Sequence, residues 1–396
     1  ADEMAAALNV PQYYNINNLV KDNIIEAAIV VTPIESHHSI SLFLSSHGIH
    51  NLIETTWCST ILQAKQMIDT AKKNNVITRV AENFFRYPID RFAQTLRDCK
   101  YIGDIKRIFT YNDHTGFHNN SRWIAFAKSH PLWVQSIEHS MKTKNFYSTP
   151  ERFHENENFR SRIFGFKNDF IVIDQAANIK GFLGRQVRPG YTEWQGENGV
   201  LMQRGIDSTC AAATYYMGRN AVMHRPGKHY DWEAELRYCS KPDVAKIDDP
   251  TVIDYSVGYA DYISRVVREY DSNKRWTSIY AKTPNGVIEY VNELRPTELS
   301  DNYHPEYGSC VMGHIVDFAL AIRGLDFGEF NEQDALMSMM MEIGAEESSL
   351  NEGKRIKLPI KGDVESDHII LETIKNKYGV DPLDIEAMLA ISYPKP

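Results

Sequence analysis

The chain has 396 residues, with 43 Lys and Arg against 52 Asp and Glu and a formal net charge of −9. Hydrophobic residues make up 43% and charged residues 24%, which is ordinary for a folded protein and excludes an intrinsically disordered chain. The acidic balance argues against a general nucleic-acid binder, which needs a basic face. The apolar runs are shorter than the roughly 18 to 20 residues of a membrane span.

The five cysteines are widely scattered and contain no C-x-x-C pair. Such a set fits a reducing compartment better than a disulfide framework or a Cys-rich zinc module. The first residues, ADEMAAALNV, lack the basic region and apolar core of a signal peptide. We therefore expect a cytoplasmic protein.

Strand and helix patterns alternate over the first 104 residues. The predicted elements are a strand at 24–33, a helix at 36–47, a strand at 50–54, a helix at 59–73 and a strand at 76–81. The second helix is amphipathic, and Ser59 or Thr60 is its predicted N-cap. This alternation is typical of a parallel α/β sheet.

The pattern changes after about residue 104. Strands are predicted at 105–112 and 132–141, and hairpins at 160–183 and 276–292 with turns at Asn168-Asp169 and Asn285-Gly286. Helices are predicted at about 200–217, 308–324 and 332–350, with one or two more after Pro359. We therefore predict an α/β domain over 1–104, an α+β domain with a largely antiparallel open sheet over 105–360, and a helical extension over 361–396.

One segment, TPIESHHSISLFLSSHGIHNLIETT, carries a distinctive order of residues. It resembles the Gfo/Idh/MocA oxidoreductase family, in which a strand ends in T-P, four residues separate the Thr from a following His, and G-K-H precedes a strand ending in E-K-P. The AENFFRYP, IGDIKRI, GHIVDFALAIRG and SSLNEGKRIKLP segments resemble later parts of the same family. The matching positions in the first two segments are Thr32, Pro33, His37, Gly48, His50, Glu54, Asn83, Arg86 and Pro88.

The resemblance implies a two-domain enzyme with an N-terminal Rossmann domain for NAD or NADP. It also implies a second domain that helps to form the substrate site and presents its open sheet at contacts in a homo-oligomer. Family substrates are sugars and polyols, which are oxidised or reduced by hydride transfer. The residues that it places at the cofactor are Thr32, Pro33, His37, Glu54, Asn83 and Arg86.

This sequence departs from the family pattern at three places. No G-x-G-x-x-G precedes residue 24, so the strand–helix–strand unit that would carry it either lies upstream of the given chain or has been lost. The family Lys of E-K-P is Thr55, which holds no positive charge. The family's D-x-x-x-H pair, expected on one helix face, aligns with Gln203 and Asp207.

These changes predict a relocated proton-transfer group. The candidates are Asp207, His118 and His114, because imidazole or a buried carboxylate can exchange a proton near neutral pH. Arg122, Trp194 and Gln203 are the candidates for lining a sugar site, since amides, guanidinium groups and aromatic faces suit hydroxyl-rich ligands. The alternative for each residue is an internal role in satisfying backbone groups and packing aromatic rings. No metal site is predicted, because His114 and His118 follow a strand and flank Gly116, where no helix is expected, and because the family that the chain resembles needs no metal.

Three functions stay open. The first is an NAD(P)-dependent oxidoreductase acting on a sugar or polyol, without a nucleic-acid or membrane partner. The second is a non-catalytic sugar-binding or regulatory subunit on a degenerate Rossmann scaffold, favoured by the loss of the Lys and His. The third is eliminative or hydrolytic sugar chemistry with tightly held NAD.

Overall fold

The computed structural model of the chain describes residues 2–111, 116–149, 152–177, 191–204, 233–238, 262–294, 305–325 and 328–392. The chain forms two compact units, and the first is assembled from three separate stretches. These stretches are Ala1–Ala81, Asp317–Glu332 and Asp367–Pro396. The second unit contains Glu82–Val316 and Gln333–Ser366. The domain boundaries predicted at residues 104 and 360 stay predictions.

The first unit contains a parallel sheet of three strands in the order β1-β2-β3, which confirms the Rossmann-like α/β fold predicted for the N-terminal part. Its elements in chain order are α1 (Asp2–Leu8), α2 (Ile16–Lys21), β1 (Ala27–Val30), α3 (Ile34–Ser46), β2 (His50–Ile53), α4 (Ile61–Lys73) and β3 (Thr78–Val80). Helix α4 is capped by Thr60, whose hydroxyl oxygen accepts a hydrogen bond from the Gln63 amide at 3.2 Å.

A buried polar network ties the sheet of the first unit to α3. The Asn51 side-chain oxygen on β2 accepts hydrogen bonds from the hydroxyls of Ser41 at 2.9 Å and Thr78 at 2.7 Å. The Asn51 amide nitrogen donates to the Ser45 hydroxyl at 3.0 Å. Because buried polar groups cost free energy unless they are paired, this network favours one register of α3 on the sheet.

The C-terminal helices α9 (Glu365–Tyr378) and α10 (Ile385–Leu389) confirm the helices predicted after Pro359. The Asp367 carboxylate of α9 accepts hydrogen bonds from the backbone amides of Ile61 at 3.1 Å and Leu62 at 3.2 Å. These amides belong to the first turn of α4, where N–H groups lack intrahelical partners. Helix α10 packs against α3 in the same unit.

The second unit is built on a sheet of eleven strands in the order β13-β12-β11-β10-β9-β8-β4-β7-β6-β5-β14. Within this sheet, only the β4–β7 pair is parallel among the described strands, so the largely antiparallel sheet is confirmed. Its strands are β4 (Ile105–Tyr111), β5 (Trp133–Thr149), β6 (Arg152–Gly165), β7 (Ile171–Ala177), β8 (Tyr191–Gly196), β9 (Gly199–Arg204), β10 (Glu233–Tyr238), β11 (Tyr262–Tyr270), β12 (Trp276–Thr283), β13 (Gly286–Val291) and β14 (Ile356–Lys357).

Helices and a short 3-10 turn complete the second unit. They are the 3-10 turn Phe84–Arg86, α5 (Pro88–Cys99), α6 (Gly116–Ala127), α7 (Pro305–Ile322) and α8 (Glu332–Leu350). The C-terminal end of α7 and the first residue of α8 fall in the stretch assigned to the first unit. Burial alternates along β8, where Thr192 and Trp194 are buried and their neighbours are half-buried. One face of this strand is therefore covered and the other is more open.

Both predicted hairpins form. Asn168 and Asp169 take φ angles of 60° and 57°, which matches the left-handed turn that joins two antiparallel strands tightly. In the other hairpin, Thr283 pairs with Gly286, so Asn285 is the second turn residue and Gly286 already begins β13. The turn was predicted at Asn285-Gly286, one residue later than it occurs. Gly286 has a φ of 123°, but it stands at the start of the strand and not in the turn.

The helix predicted to begin near residue 200 is wrong over residues 200–204. This segment is β9, in which Gln203 pairs with Thr192 of β8 and Ala234 of β10. Leu201 and Gln203 are buried while Val200 is half-buried, which is the period of two expected for a strand. Gln203 therefore lies on a strand and not on the helix face that the sequence predicted for it. Asp207, the other residue of that predicted pair, lies outside the described residues.

Candidate functional site

The carboxyl ends of β1 and β2 lie together in the first unit. Thr32 and Pro33 follow β1, and Glu54 and the next two residues follow β2. His37 of α3 contacts the loops that follow both strands, with Nε2 at 2.8 Å from the Thr32 carbonyl oxygen and Nδ1 at 2.9 Å from the Thr56 carbonyl oxygen. These residues therefore share one edge of the parallel sheet, and their contact with a cofactor stays a prediction.

His37 is held in a way that suits positioning rather than proton transfer. Burial lowers the pKa of its imidazole, and the two carbonyl acceptors oppose that shift. Since both ring nitrogens contact backbone carbonyls, neither is directed at a ligand. The side chain fixes the two loops that carry the more accessible residues.

The side chains at this edge differ in their access to solvent. Thr32 and Pro33 are exposed, while Glu54 and Thr55 are half-buried. The Thr55 hydroxyl lies 3.5 Å from the Glu54 carboxylate. The carboxyl edge of a parallel sheet is where such folds bind dinucleotides, and a carboxylate with nearby hydroxyls suits ribose hydroxyls. These residues fit the sugar side of a nicotinamide cofactor, whereas no Gly-rich phosphate loop occurs before residue 24.

The second unit contains a histidine that is held by a buried carboxylate. His118, in the first turn of α6, has Nδ1 at 2.9 Å from Oε2 of Glu82. The other oxygen of the fully buried Glu82 side chain accepts hydrogen bonds from the backbone amides of Asn83 and Phe84, each at 3.0 Å. The His118 ring packs on the Phe84 ring with centroids 4.2 Å apart.

This arrangement fixes the chemistry that His118 can perform. A neutral imidazole that donates Nδ1–H to a carboxylate carries its lone pair on Nε2, where it can accept a proton. The tautomer follows from the hydrogen bond, because Glu82 is an acceptor. An oriented base of this kind is the pattern found where enzymes move a proton from a hydroxyl group.

Asn83 and Arg86 flank this pair on the 3-10 turn, and both side chains are buried. Asn83 is 5% exposed, and its side-chain oxygen has no hydrogen-bond partner among the described residues. The guanidinium of Arg86 lies over the Phe85 ring, 4.6 Å from its centroid. A buried acceptor without a partner costs free energy, so Asn83 fits a donor such as an amide or a hydroxyl of a bound molecule.

The three residues predicted to line the substrate lie inside the second unit. Arg122 is 4% exposed, and its Nε lies 2.9 Å and 3.1 Å from the two carboxylate oxygens of Asp90. Trp194 is fully buried, with its ring centroid 5.9 Å from the Arg122 guanidinium, and Gln203 is buried on β9. Their burial favours a role in supporting α6, and their contact with substrate stays a prediction.

Of the three candidates for proton transfer, the structure describes only His118. His114 and Asp207 lie outside the described residues. Glu82 was missed by the sequence analysis, although an acidic residue directly after the predicted strand at 76–81 was a usable signal. Asp90 was also missed, because nothing in the sequence links it to Arg122, 32 positions away.

The described part of the chain contains neither a metal-ligand cluster nor a membrane span. No group of three or more His, Cys, Asp or Glu side chains there converges as metal ligands would. No helix within the described ranges is both long and apolar enough to cross a membrane.

Comparison with known proteins finds similarity to one family in sequence and to several solved structures in fold. The model of the Gfo/Idh/MocA family, described as an oxidoreductase family with an NAD-binding Rossmann fold, matches residues 1–82. An uncharacterised oxidoreductase of Schizosaccharomyces pombe is 26% identical over 110 residues, which are 28% of this chain and 29% of that protein. The matched stretch therefore covers a minor part of that relative.

Solved structures extend the similarity of fold over most of the chain. An NAD-binding oxidoreductase from Klebsiella pneumoniae superposes with a TM-score of 0.59 at 14% identity, covering 91% of this chain and 88% of that one. A levoglucosan dehydrogenase in complex with NADH and levoglucosan gives 0.55 at 14% identity, covering 91% and 87%. These solved structures therefore have the same overall fold as this chain. The family model thus covers the N-terminal part of the chain, and the solved structures share its fold over most of its length.

Proposed function

We propose that this protein is an NAD- or NADP-dependent oxidoreductase that acts on a sugar or sugar-like polyol. The observation that carries the proposal is the hydrogen bond between His118 and the buried Glu82, with Nδ1 and Oε2 2.9 Å apart. This hydrogen bond supplies an oriented base. The chain needs one, because Thr55 and Asp207 align with the positions where the family has its Lys and His. A relative that binds NADH and an anhydrosugar, the levoglucosan dehydrogenase, supports this substrate class.

In this proposal some residues contact the cofactor and others hold the loops that carry them. Thr32, Pro33 and Glu54 contact the cofactor, and His37 holds their loops in place. Asn83 and Arg86 complete the cofactor side. A nicotinamide cofactor held by these residues would supply the hydride acceptor.

His118 takes the hydroxyl proton at Nε2 as the substrate carbon loses its hydride and the C–O bond becomes C=O. Glu82 stabilises the imidazolium that results, because a carboxylate next to a cation lowers its energy. Asp207 and His114 remain further candidates for proton transfer. Arg122, Trp194 and Gln203 are proposed to support the substrate side.

The first test is calorimetry of the intact protein with NAD+, NADH, NADP+ and NADPH. Binding of one pair is expected, and the preferred pair identifies the cofactor. The absence of binding by all four would overturn the proposal. Turnover is then followed by nicotinamide absorbance over a panel of sugars, anhydrosugars and polyols.

The second test separates His118 from other histidines. His118→Gln and Glu82→Gln are each expected to lower kcat by about 100-fold or more, while cofactor affinity stays close to the wild-type value. His130→Gln is the matched control, because His130 also pairs with a carboxylate, with Nε2 2.7 Å from Asp334. Wild-type turnover in His118→Gln would remove His118 from the mechanism.

A second candidate function is a non-catalytic sugar-binding or regulatory subunit. The observation that favours it is Thr55, which cannot replace the charge of the family Lys. Cofactor binding without turnover on any substrate, in both wild type and His118→Gln, would favour this alternative. Eliminative or hydrolytic sugar chemistry would instead give product without net change in nicotinamide absorbance.

We further propose a homo-oligomer, a dimer or tetramer, that uses the more open face of the second-unit sheet. Half-buried apolar side chains on this sheet, among them Phe109, Ile163 and Ile173, support it. A cytoplasmic location is proposed as well, supported by the described cysteines Cys58, Cys99 and Cys310, which are all unpaired.

A further inference from the structure

Helix α6, which carries His118, is held by charged groups from two other elements of the second unit. Its first residue, Gly116, has a carbonyl oxygen that accepts a hydrogen bond from Arg162 of β6 at 3.3 Å. The Asn120 side-chain nitrogen donates to Oε2 of Glu342 of α8 at 3.3 Å and to the Ser338 carbonyl oxygen at 3.1 Å. The turn that contains His118 is therefore connected on both sides to a common cluster of charges.

Glu342 lies at the centre of this cluster. Its carboxylate pairs with Arg160 and with Arg162, whose Nη1 lies 2.6 Å from Oε2. Burial alone raises the pKa of Glu342, but the two guanidinium groups outweigh it and lower the pKa to about 2. Arg162 is 2% exposed at its side chain and also pairs with Asp174. The carboxylate is thus charged at every pH at which an enzyme of this kind works.

Helix α6 lies so close to the Glu342 carboxylate that glycine is the residue that fits at position 116. A Cβ atom added to Gly116 would lie 2.7 Å and 2.9 Å from the two Glu342 oxygens and 3.0 Å from Nη1 of Arg162. These separations are shorter than real Cβ contacts, so a side chain at 116 would force the helix or the ion pair to move. Glycine lets the helix start directly against the charges.

We propose that Glu342 is a positioning residue for His118: with Arg162 it fixes the first turn of α6, so that the imidazole meets Glu82. The inference rests on the proposed function, because it holds that Glu342 and Arg162 assist proton transfer by His118. Asn120 is the link, since it lies on α6 two residues after His118 and contacts Glu342 directly. Base orientation matters because displacements of about 1 Å can reduce catalysis by roughly 100-fold.

The competing explanation is that the cluster only stabilises the core of the second unit. That role predicts lower stability in variants but an unchanged His118 side chain in the folded protein. The two explanations therefore differ in a direct readout of the imidazole. Nitrogen-15 NMR of labelled histidines reports which ring nitrogen carries the proton and whether Nδ1–H is hydrogen-bonded.

The experiment compares Glu342→Gln and Asn120→Ala with wild type. The first removes the charge, and the second cuts the contact to α6 while leaving both arginine pairs in place, so it serves if Glu342→Gln does not fold. Glu347→Gln is the matched control. Glu347 is a buried carboxylate on the same helix, and its Oε1 accepts hydrogen bonds from the Ser366 backbone amide at 2.6 Å and hydroxyl at 2.7 Å.

We expect both test variants to weaken the His118 Nδ1–H hydrogen-bond signal and to lower kcat by about 10-fold, with KM and cofactor affinity within about 2-fold of wild type. The control should leave the imidazole signal and kcat unchanged. An unaltered His118 signal in a folded Asn120→Ala protein would overturn the positioning role. If the signal changes but wild type shows no turnover on any substrate, the proposed function fails while the positioning role stands.

Discussion

Replacing His314 by glutamine should remove a large part of the acid sensitivity of the second unit. His314 lies on α7 and is 9% exposed. Burial and the positive charge of Arg86 lower the pKa of its imidazole from 6.5 to about 4. In the unfolded chain the same group takes up its proton near its ordinary pKa. As the pH falls from 6.5 towards 4, the unfolded state therefore binds more protons and stability is lost.

The size of the effect follows from these two pKa values. Between pH 7 and pH 5 the difference in proton binding lowers the free energy of unfolding by about 2 kcal/mol. Glutamine does not titrate, so His314→Gln should lack this decrement. His38, buried in the first unit with its pKa also lowered to about 4, keeps its own contribution in the variant.

The assay is urea unfolding at pH 7 and pH 5, followed by tryptophan fluorescence. Trp123, Trp194 and Trp276 are buried in the second unit and report on it. His139→Gln is the control, because His139 is exposed on β5. A decline of about 2 kcal/mol that persists unchanged in His314→Gln would refute the assignment of this acid sensitivity to His314.

Three more outcomes are expected. Asp367→Ala should cost about 1–2 kcal/mol of stability in thermal unfolding, because α4 loses a cap, while the exposed Asp363→Ala should change little. Asn51→Leu should cost about 2 kcal/mol in urea unfolding, since it leaves buried hydroxyls unpaired, and a neutral result would contradict the network. Ile173→Glu should lower the mass measured by light scattering if the open sheet joins subunits, and an unchanged oligomer would exclude that face.

The elements of the first unit could be predicted because each carries a local signal. Helix α4 has apolar residues at helical spacing and a Thr cap, and its buried face is the predicted one. β2 is a short apolar run between Gly48 and the loop after Ile53. Signals of this kind lie within a dozen residues, so no knowledge of distant contacts was needed.

The sequence was less informative where partners lie far apart. GVLMQ at the start of β9 suits a helix or a strand, and pairing with β8 and β10 decides between them. Glu82 and His118 are 36 positions apart, and no periodicity links them. His118 could be proposed from its chemistry, whereas its orientation depends on where the folded chain puts Glu82.

The contact between Asp367 and α4 has a consequence for synthesis of the chain. The two amides that Asp367 binds precede it by 306 and 305 positions. During translation α4 emerges long before its partner, so the first unit cannot reach its final state until Asp367 has left the ribosome. We expect a fragment ending at residue 81 to be prone to proteolysis, and expression trials should retain the C-terminal helices.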